Sequence, residues 1–258
     1  MPRYRLSIAY DGTPFCGWQR QDHSPSIQQA VEEAIEGFAS STQDGVIRLH
    51  AAGRTDTGVH AEGQVAHVDL VRDWEPSVVR RATNANLLRA GHPVAIADCA
   101  KAADGFHARF SATARHYRYR ILDRDWPPTT ERNSVWWVPA RRALDAEAMN
   151  EAAARLLGRH DFTTFRAAQC QADSPVRTLD RLDVERRGEE IVIHASARSF
   201  LHHQVRSMTG ALKRVGEGKW TPENVADALA ARDRSRCPGM APASGLSLIG
   251  VNYPERDG

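Results

Sequence analysis

Hydrophobic and polar positions alternate at the start of the chain. Tyr4, Leu6, Ile8 and Tyr10 are separated by single residues that are mostly polar, which is the period-two pattern of a β-strand with one buried face. A helical pattern follows Ser24 and Pro25, and we expect Ser24 to cap this helix and Pro25 to lie in its first turn. Its apolar face consists of Ile27, Ala30, Val31, Ala34, Ile35 and Phe38.

The rest of the N-terminal half predicts four more elements. Apolar runs predict strands over 46–50 and 64–70, then a shorter helix after Pro76, and then a strand over 94–97. The element order is β-α-β-β-α-β, which is the order of a split β-α-β unit.

A similar order is predicted for the second half. The pattern gives a strand, a helix ended by Gly158, a hairpin across Gly188, two helices and a closing strand. These elements are predicted over residues 112–122, 145–157, 179–186 with 190–197, 202–215, 221–231 and 245–253.

We therefore predict an α+β protein of two successive split β-α-β, ferredoxin-like halves, 1–105 and 106–258. Their antiparallel sheets are expected side by side, with helices on one face. We also expect a cleft between the halves, where a large ligand could lie.

Composition excludes several classes of protein and indicates a preference among ligands. The 258 residues are 41% hydrophobic and 26% charged, which is typical of a globular chain and not of a disordered, collagen-like or disulfide-scaffold one. The net charge is only +2, but 31 of the 34 basic residues are arginine, because lysine occurs only at positions 101, 213 and 219. Arginine favours planar partners such as phosphate and carboxylate, but a genome that favours arginine codons is the first explanation unless the arginines are clustered.

Cellular setting is predicted from the termini and the cysteines. The first residues contain no apolar stretch of signal-peptide length. The uncharged stretch 237–254 is interrupted by proline and glycine, so it is expected to be loop and strand and not a membrane span. The four cysteines are far apart and form no CxxC pair. We expect a cytoplasmic protein with no membrane segment.

The segment 51–61 is the first candidate for chemistry. It is dense in turn-forming residues, and an aspartate between Thr55 and Thr57 commonly caps its own backbone. It is, however, longer than a tight hairpin needs, and Asp56 has Arg54 two residues before it and His60 four residues after it. An acid at a loop tip can act as a nucleophile or a general base. A structural turn and a catalytic loop both remain open.

Two further segments carry four basic residues each and no acid. In 106–120, alternation places Tyr117 and Tyr119 on one strand face and Arg118 and Arg120 on the other. Such a strand offers base-stacking and phosphate-binding groups separately, but it also fits an ordinary amphipathic strand with tyrosine in the core. Both interpretations remain open.

The second acid-free segment, 198–214, is predicted to begin a helix at His202. Adjacent histidines on a helix point about 100° apart, which makes a shared zinc ion a poor prediction. The helix amides and Arg206 could instead hold a phosphate or a carboxylate such as Asp56.

The chain contains an ordered series of further motifs along nearly its whole length. They are Tyr10-Asp11-Gly12, Phe15, Gly17-Trp18-Gln19-Arg20, Gly53-Arg54-Thr55-Asp56, Gly58-Val59-His60-Ala61, Phe106-His107-Ala108-Arg109, Tyr117-Arg118-Tyr119, Asp161-Phe162-Thr163, Phe165, Phe200-Leu201-His202-His203, Val205-Arg206 and Gly245-Leu246. In these motifs the chain resembles the tRNA pseudouridine synthase A or tRNA pseudouridine(38-40) synthase family. One departure is Thr57, where the family pattern has a small alanine.

The resemblance implies the pseudouridine synthase fold and a role for several residues. It makes Asp56 the catalytic nucleophile or base, places the ring of Tyr117 against the target uracil, and pairs Arg206 with Asp56. Arg54 would fill the space left by a flipped nucleotide or hold its phosphate. For Arg54 and Arg206 the alternative is an ordinary surface ion pair. The same resemblance includes Phe15, His60 and His203 among the substrate-binding residues.

The implied activity is an isomerase that converts uridine to pseudouridine in the anticodon stem-loop of tRNA, at positions 38–40. Such an enzyme needs no cofactor and no metal, and the resemblance implies a homodimer that binds tRNA. Two alternatives remain: a non-catalytic RNA-binding module, and a related synthase that acts on another RNA. The roles of Trp126, Trp136 and Trp137 stay open, with core or subunit contact favoured over base stacking.

Overall fold

A computed structural model describes residues 1–39, 46–139 and 143–254. The chain forms two compact units, one of Met1–Thr113 with Leu248–Gly258 and one of Ala114–Ser247. The predicted halves, 1–105 and 106–258, differ from these units mainly in the closing strand, most of which lies in the first unit.

The described residues form ten strands and five α-helices. In chain order they are β1 (Arg3–Tyr10), α1 (Ile27–Glu36), β2 (His50–Ala51), β3 (His60–Asp69), α2 (Pro76–Arg89), β4 (Val94–Lys101), β5 (Ala114–Asp123), β6 (Trp136–Val138), α3 (Ala146–Ala154), β7 (Gly158–Asp161), β8 (Val176–Arg187), β9 (Glu190–Ala197), α4 (Gln204–Gly216), α5 (Pro222–Ala231) and β10 (Leu246–Asn252). The protein is therefore of mixed α+β class, as predicted.

The first unit is built on the strand order β4-β1-β3-β10, with β2 also paired to β3. Strand β1 runs antiparallel to both β3 and β4. Alternate residues of β1 are buried, and Leu6 and Ile8 have no exposed surface. The predicted order β-α-β-β-α-β is confirmed for this part of the chain.

The second unit has the strand order β5-β9-β8-β7, and β6 pairs with β5 in parallel. Strands β8 and β9 form the predicted hairpin, whose turn contains Gly188 at a φ of 62°. Positive φ is easily reached by glycine, which explains the tight connection. Strands β6 and β7 were not predicted, so the second unit is richer in strands than a simple repeat of the first.

The prediction for the start of α1 was wrong. Ser26, not Ser24, caps the helix: its backbone is extended, with φ −132°, and its side chain accepts a hydrogen bond from the Gln29 amide at 3.2 Å. Pro25 lies before the cap, where its carbonyl accepts a hydrogen bond from the Cys16 amide at 2.8 Å. The proline therefore serves the preceding loop and not the first helical turn.

Other predicted bounds and lengths were also wrong. Residues 46–49 form no strand, although Ile47 and Leu49 are buried. Helix α1 ends before Phe38, and α3 ends at Ala154 instead of Leu157. Helix α2, expected to be short, has 14 residues, more than the 10 of α1. Helix α4 begins at Gln204, after both histidines.

No helix in the described ranges combines the length and the apolar character that crossing a bilayer requires.

Candidate active site

Asp56 lies in the loop that connects β2 to β3. The burial of this loop changes from one residue to the next: Thr55 is 6% exposed, Asp56 is half-buried, and Arg54 and Thr57 are exposed. A buried threonine therefore directly precedes a carboxylate that reaches solvent. This arrangement fixes the backbone beside the acid while leaving the acid accessible.

Three hydrogen bonds hold the loop just before Asp56. The Tyr10 hydroxyl and Thr55 Oγ1 are 2.8 Å apart, and the Trp18 amide donates to the Thr55 carbonyl at 3.0 Å. The Gln64 side-chain amide donates to the Gly53 carbonyl at 2.9 Å. Tyr10, Trp18 and Gln64 are all buried. A carboxylate carried by a loop that is tied to the core in this way is preorganised.

Two glycines allow the segment after β1 to pack directly on the Asp56 loop. A Cβ atom on Gly17 would lie 2.7 Å from the Thr55 carbonyl oxygen, and one on Gly12 would lie 2.0 Å from the Val59 carbonyl oxygen. Gly17 also has a φ of +90°, which other residues rarely adopt. Both positions therefore require glycine, for steric reasons and, at Gly17, for conformational ones.

His60 and Phe15 lie in the same region but are buried. The Gly12 amide donates to His60 Nδ1 at 3.1 Å, and the Phe15 ring, 3% exposed, packs 5.9 Å from the His92 ring. His60 Nδ1 is also 3.1 Å from Asp11 Oδ1, which is favourable only when Nδ1 carries a proton. The contact with the Gly12 amide therefore requires the ring form without a hydrogen on Nδ1, and the contact with Asp11 requires the form with one.

Asp11 is held in its ionised form. Burial alone would raise the pKa of this carboxyl, but hydrogen bonds from the hydroxyl and the amide of Thr13, together with His60, hold the pKa below its ordinary value. The Asp11 carboxylate therefore remains negatively charged at neutral pH.

Tyr117 and Tyr119 share one face of β5 but differ in burial. Tyr119 is fully buried and donates to the Pro242 carbonyl at 2.8 Å, and its burial raises the pKa of the phenol. Tyr117 is half-buried, and its ring meets the Phe200 ring edge-on at 5.2 Å. Tyr117 is thus the tyrosine of this pair that reaches the surface.

Two arginines near Tyr117 already have protein partners. Arg120 forms a two-point ion pair with Glu190, at 3.0 and 2.5 Å. Arg115, 8% exposed, donates to the Arg198 carbonyl at 2.6 Å. For these two residues the structure favours the amphipathic-strand alternative over phosphate binding.

Helix α4 begins after His202 and His203, which were predicted to lie within it. His203 has a left-handed backbone with a φ of 64° and precedes the helix, and its ring lies 3.9 Å from that of His202. The argument that helix geometry separates these two side chains was therefore wrong.

Arg206 lies in the first turn of α4. Its Nε donates to the Ala241 carbonyl at 2.9 Å, and the Ala241 amide donates to the Arg206 carbonyl at 3.0 Å. These two bonds tie the arginine to the loop that precedes β10.

The structure thus places Arg54, Asp56, His60 and Phe15 in the first unit. Tyr117, His203 and Arg206 lie in the second. Sequence reasoning assigned no role to Tyr10 or Trp18, which support the Asp56 loop. The sequence signal that could have identified them is their position in motifs that also contain Gly12 and Gly17.

The α+β fold thus carries a half-buried carboxylate on a loop that is hydrogen-bonded to the core. The sequence model of a family described as tRNA pseudouridine synthase matches residues 6–111 and 152–254. This chain belongs to the tRNA pseudouridine synthase family.

Relatives cover the chain almost completely. A tRNA pseudouridine synthase A of Mesorhizobium japonicum is 61% identical over 98% of this chain and 100% of its own length. Proteins of the same name from Sinorhizobium medicae and Azorhizobium caulinodans are 56% and 57% identical, over 98% and 99% of this chain and 100% and 96% of their own lengths.

One solved structure, titled "Crystal Structure of a Cbf5-Nop10-Gar1 Complex", aligns over 82% of this chain and 45% of that chain. The two share 12% identity at a TM-score of 0.34.

Proposed function

We propose that this protein isomerises uridine to pseudouridine in the anticodon stem-loop of tRNA, at positions 38–40, with Asp56 as the catalytic nucleophile or base. Membership of the family supports the reaction, and relatives at 56–61% identity named tRNA pseudouridine synthase A support the substrate. The observation that carries the assignment of Asp56 is its accessible position directly after the buried and hydrogen-bonded Thr55.

The chemistry requires only one carboxylate. The bond from ribose C1′ to uracil N1 breaks, the base turns, and C1′ joins C5, while C5 loses a proton and N1 gains one. Retaining glycosidases use a second carboxyl group to protonate the leaving group and then to activate the water that completes their reaction. Here the departing uracil must be recaptured, so a site that excludes water serves the reaction better than a second acid. Asp56 could attack C1′ or remove a ribose proton to form a glycal, and both routes begin from the ionised carboxylate.

Tyr117 is proposed to stack on the target uracil, with its phenol oxygen placed to assist removal of the C5 proton. Its half-buried ring, fixed edge-on against Phe200, supports this role because a stacking partner must be both exposed and rigid.

Arg206 is proposed to pair with Asp56 and to favour its charged form. Arg54 is proposed to occupy the space of the flipped nucleotide or to hold its phosphate, which agrees with its exposure beside Asp56.

His203 is proposed to contact the substrate from the start of α4. Phe15 and His60 were expected among the substrate-binding residues as well. Their burial supports an indirect role, in which they hold the 11–18 segment against the Asp56 loop. We further propose a cytoplasmic homodimer that binds tRNA and uses neither cofactor nor metal; this part rests on the family resemblance.

Release of tritium from an anticodon stem-loop labelled at uracil C5 tests the assignment, because the reaction must break that C–H bond. We expect Asp56→Asn to lower the rate by at least about a thousand-fold, as loss of a nucleophile does elsewhere. Thr57→Ala is the matched control, since it changes an exposed neighbour to the residue expected in the family. Release by Asp56→Asn at the rate of the unaltered protein would contradict the proposal.

The two alternatives give different results. A non-catalytic RNA-binding module would bind tRNA in a salt-sensitive way and release no tritium. A synthase for another RNA would leave the tRNA positions unchanged. Mapping pseudouridines in total RNA after deletion of the gene distinguishes these cases, because the positions that are lost identify the substrate.

A further inference from the structure

Phe110 is a large aromatic residue on the surface of the first unit, outside the Asp56 loop. It is 73% exposed. Its ring lies 4.4 Å from the ring of His107, and the Arg109 guanidinium lies 5.6 Å from its centre. We call His107, Arg109 and Phe110 the aromatic platform.

The backbone that carries the platform is a closed turn. The His107 amide donates to Ser111 Oγ at 3.0 Å, and the Ser111 amide donates back to the His107 carbonyl at 2.9 Å. Inside the turn, His107 Nδ1 accepts hydrogen bonds from the amides of Arg109 and Phe110, at 3.1 and 3.4 Å. The exposed ring is therefore held by its own turn, which lowers the entropy lost when a ligand binds.

The platform rests on the buried ring of His67. The His107 ring meets the His67 ring at 4.6 Å, and His67 stacks on His50 at 4.9 Å. His67 is 1% exposed and accepts a hydrogen bond from the Ala108 amide at 3.1 Å. A continuous series of rings thus runs from the core of the first unit to the exposed face of Phe110.

The charges around the platform favour a polyanion as its partner. Within the first unit, residues 106–113 contain Arg109 and no acid, and Arg48 and His50 are exposed on the segment that leads to the same histidines. The nearby acid Asp69 is engaged by Arg3 through two hydrogen bonds, at 2.7 and 2.8 Å. An exposed aromatic ring flanked by arginine is the arrangement that proteins use to stack unpaired nucleic-acid bases.

We propose that Phe110, backed by His107 and flanked by Arg109, stacks on an unpaired base of the bound tRNA, at a place separate from the uridine that reacts. The identity of the RNA rests on the proposed function. The stacking contact would add affinity with little dependence on base identity, because every base has a π face. It would anchor the tRNA without taking part in the chemistry.

Binding of a labelled tRNA transcript to an Asp56→Asn background, in which the substrate is not converted, tests the proposal. We expect Phe110→Ala to weaken binding roughly five- to hundred-fold, which corresponds to one stacked base, and Phe110→Trp to restore it. Leu88→Ala is the matched control, because Leu88 is an apolar side chain of the same unit that is 82% exposed.

Two further readouts separate stacking from other roles. The slope of log affinity against log salt should be the same for Phe110→Ala and its background, since stacking releases no counterions. A fully paired RNA duplex should bind the two proteins equally, because its bases are not available. Sedimentation of each variant at the assay concentration measures the oligomeric state.

The proposal is overturned if Phe110→Ala binds tRNA as tightly as its background. It is also overturned if the variant changes oligomeric state, since Phe110 would then contact a second protein chain. Failure of the proposed function is seen separately: the unaltered protein would release no tritium from the stem-loop, whatever the effect of Phe110 on binding.

Discussion

The phenol oxygen of Tyr10 lies 2.8 Å from Oγ1 of Thr55, and both side chains are buried. Burial raises the pKa of Tyr10 to about 12, so the phenol stays neutral throughout the ordinary pH range. This bond connects the last residue of β1 to the residue that precedes Asp56. The position of the carboxylate is thereby coupled to the core strand.

Tyr10→Phe removes this bond and retains the ring. We expect the free energy of unfolding to fall by about 1–3 kcal/mol, because a buried hydroxyl loses its partner. We also expect kcat for pseudouridine formation to fall several-fold with little change in KM, since a small displacement of a reacting group slows the chemical step more than it weakens binding. Urea unfolding and tritium release measure the two effects.

Tyr4→Phe is the matched control for this prediction. Tyr4 lies in the same strand and is fully buried, but its hydroxyl bonds to the backbone of Trp74, at 2.6 and 2.7 Å. Stability should fall here as well, while kcat should not change. An equal loss of kcat in the two variants would show that the effect arises from general destabilisation.

Gly17→Ala tests the close approach to the Asp56 loop. The added methyl group would meet the Thr55 carbonyl oxygen at 2.7 Å, in a backbone conformation with a φ of +90°. We expect a stability loss of at least about 1–3 kcal/mol and a lower kcat, because strain of this kind must be relieved by moving the loop.

Gly250→Ala provides the comparison, because a Cβ at that position has no atom within 4 Å. It should leave stability within about 1 kcal/mol of the unaltered protein. If Gly17→Ala were equally neutral in thermal unfolding and tritium release, the close packing of the two loops would contribute neither to stability nor to activity.

Acid should destabilise the protein through His67. Burial, and then the charges of Arg3 and the neighbouring His107 and His50, lower the pKa of His67 to about 4. The unfolded chain has a pKa near 6.5 and therefore binds a proton first as the pH falls. Stability from this group is fully present above about pH 6.5 and is lost towards pH 4, by about 3 kcal/mol in total.

His67→Asn removes the titration and keeps an acceptor for the Ala108 amide. Its free energy of unfolding should be lower at pH 7 but should depend less on pH between 7 and 4. Parallel curves for the two proteins in urea unfolding at a series of pH values would mean that His67 does not titrate in this range.

Local patterns predicted the elements whose signals do not depend on distant residues. The alternation from Tyr4 to Tyr10 identified β1, because a strand with one buried face imposes that period directly. The cap of α1 could not be chosen in this way, since Ser24 and Ser26 both precede the apolar face. The choice depends on the extended backbone of Ser26 and on the bond from Cys16 to the Pro25 carbonyl, which belongs to another loop.

The features of the candidate site likewise fall into those that local sequence predicts and those that depend on the folded chain. The α+β class, the family and the loop that carries Asp56 follow from the amino-acid sequence, because they depend on periodicity and on an ordered series of motifs. The residues that hold this loop are known from the folded chain, since the Tyr10–Thr55 bond and the contact at Gly17 join positions far apart in the sequence.

The same physical reason explains why the sequence did not predict the burial of Phe15 and His60 or the exposure of Phe110. All three lie in or beside recognisable motifs, yet Phe15 and His60 are buried and Phe110 is exposed. Exposure is set by what the folded chain packs against each side chain, and a sequence motif contains only the neighbours along the chain.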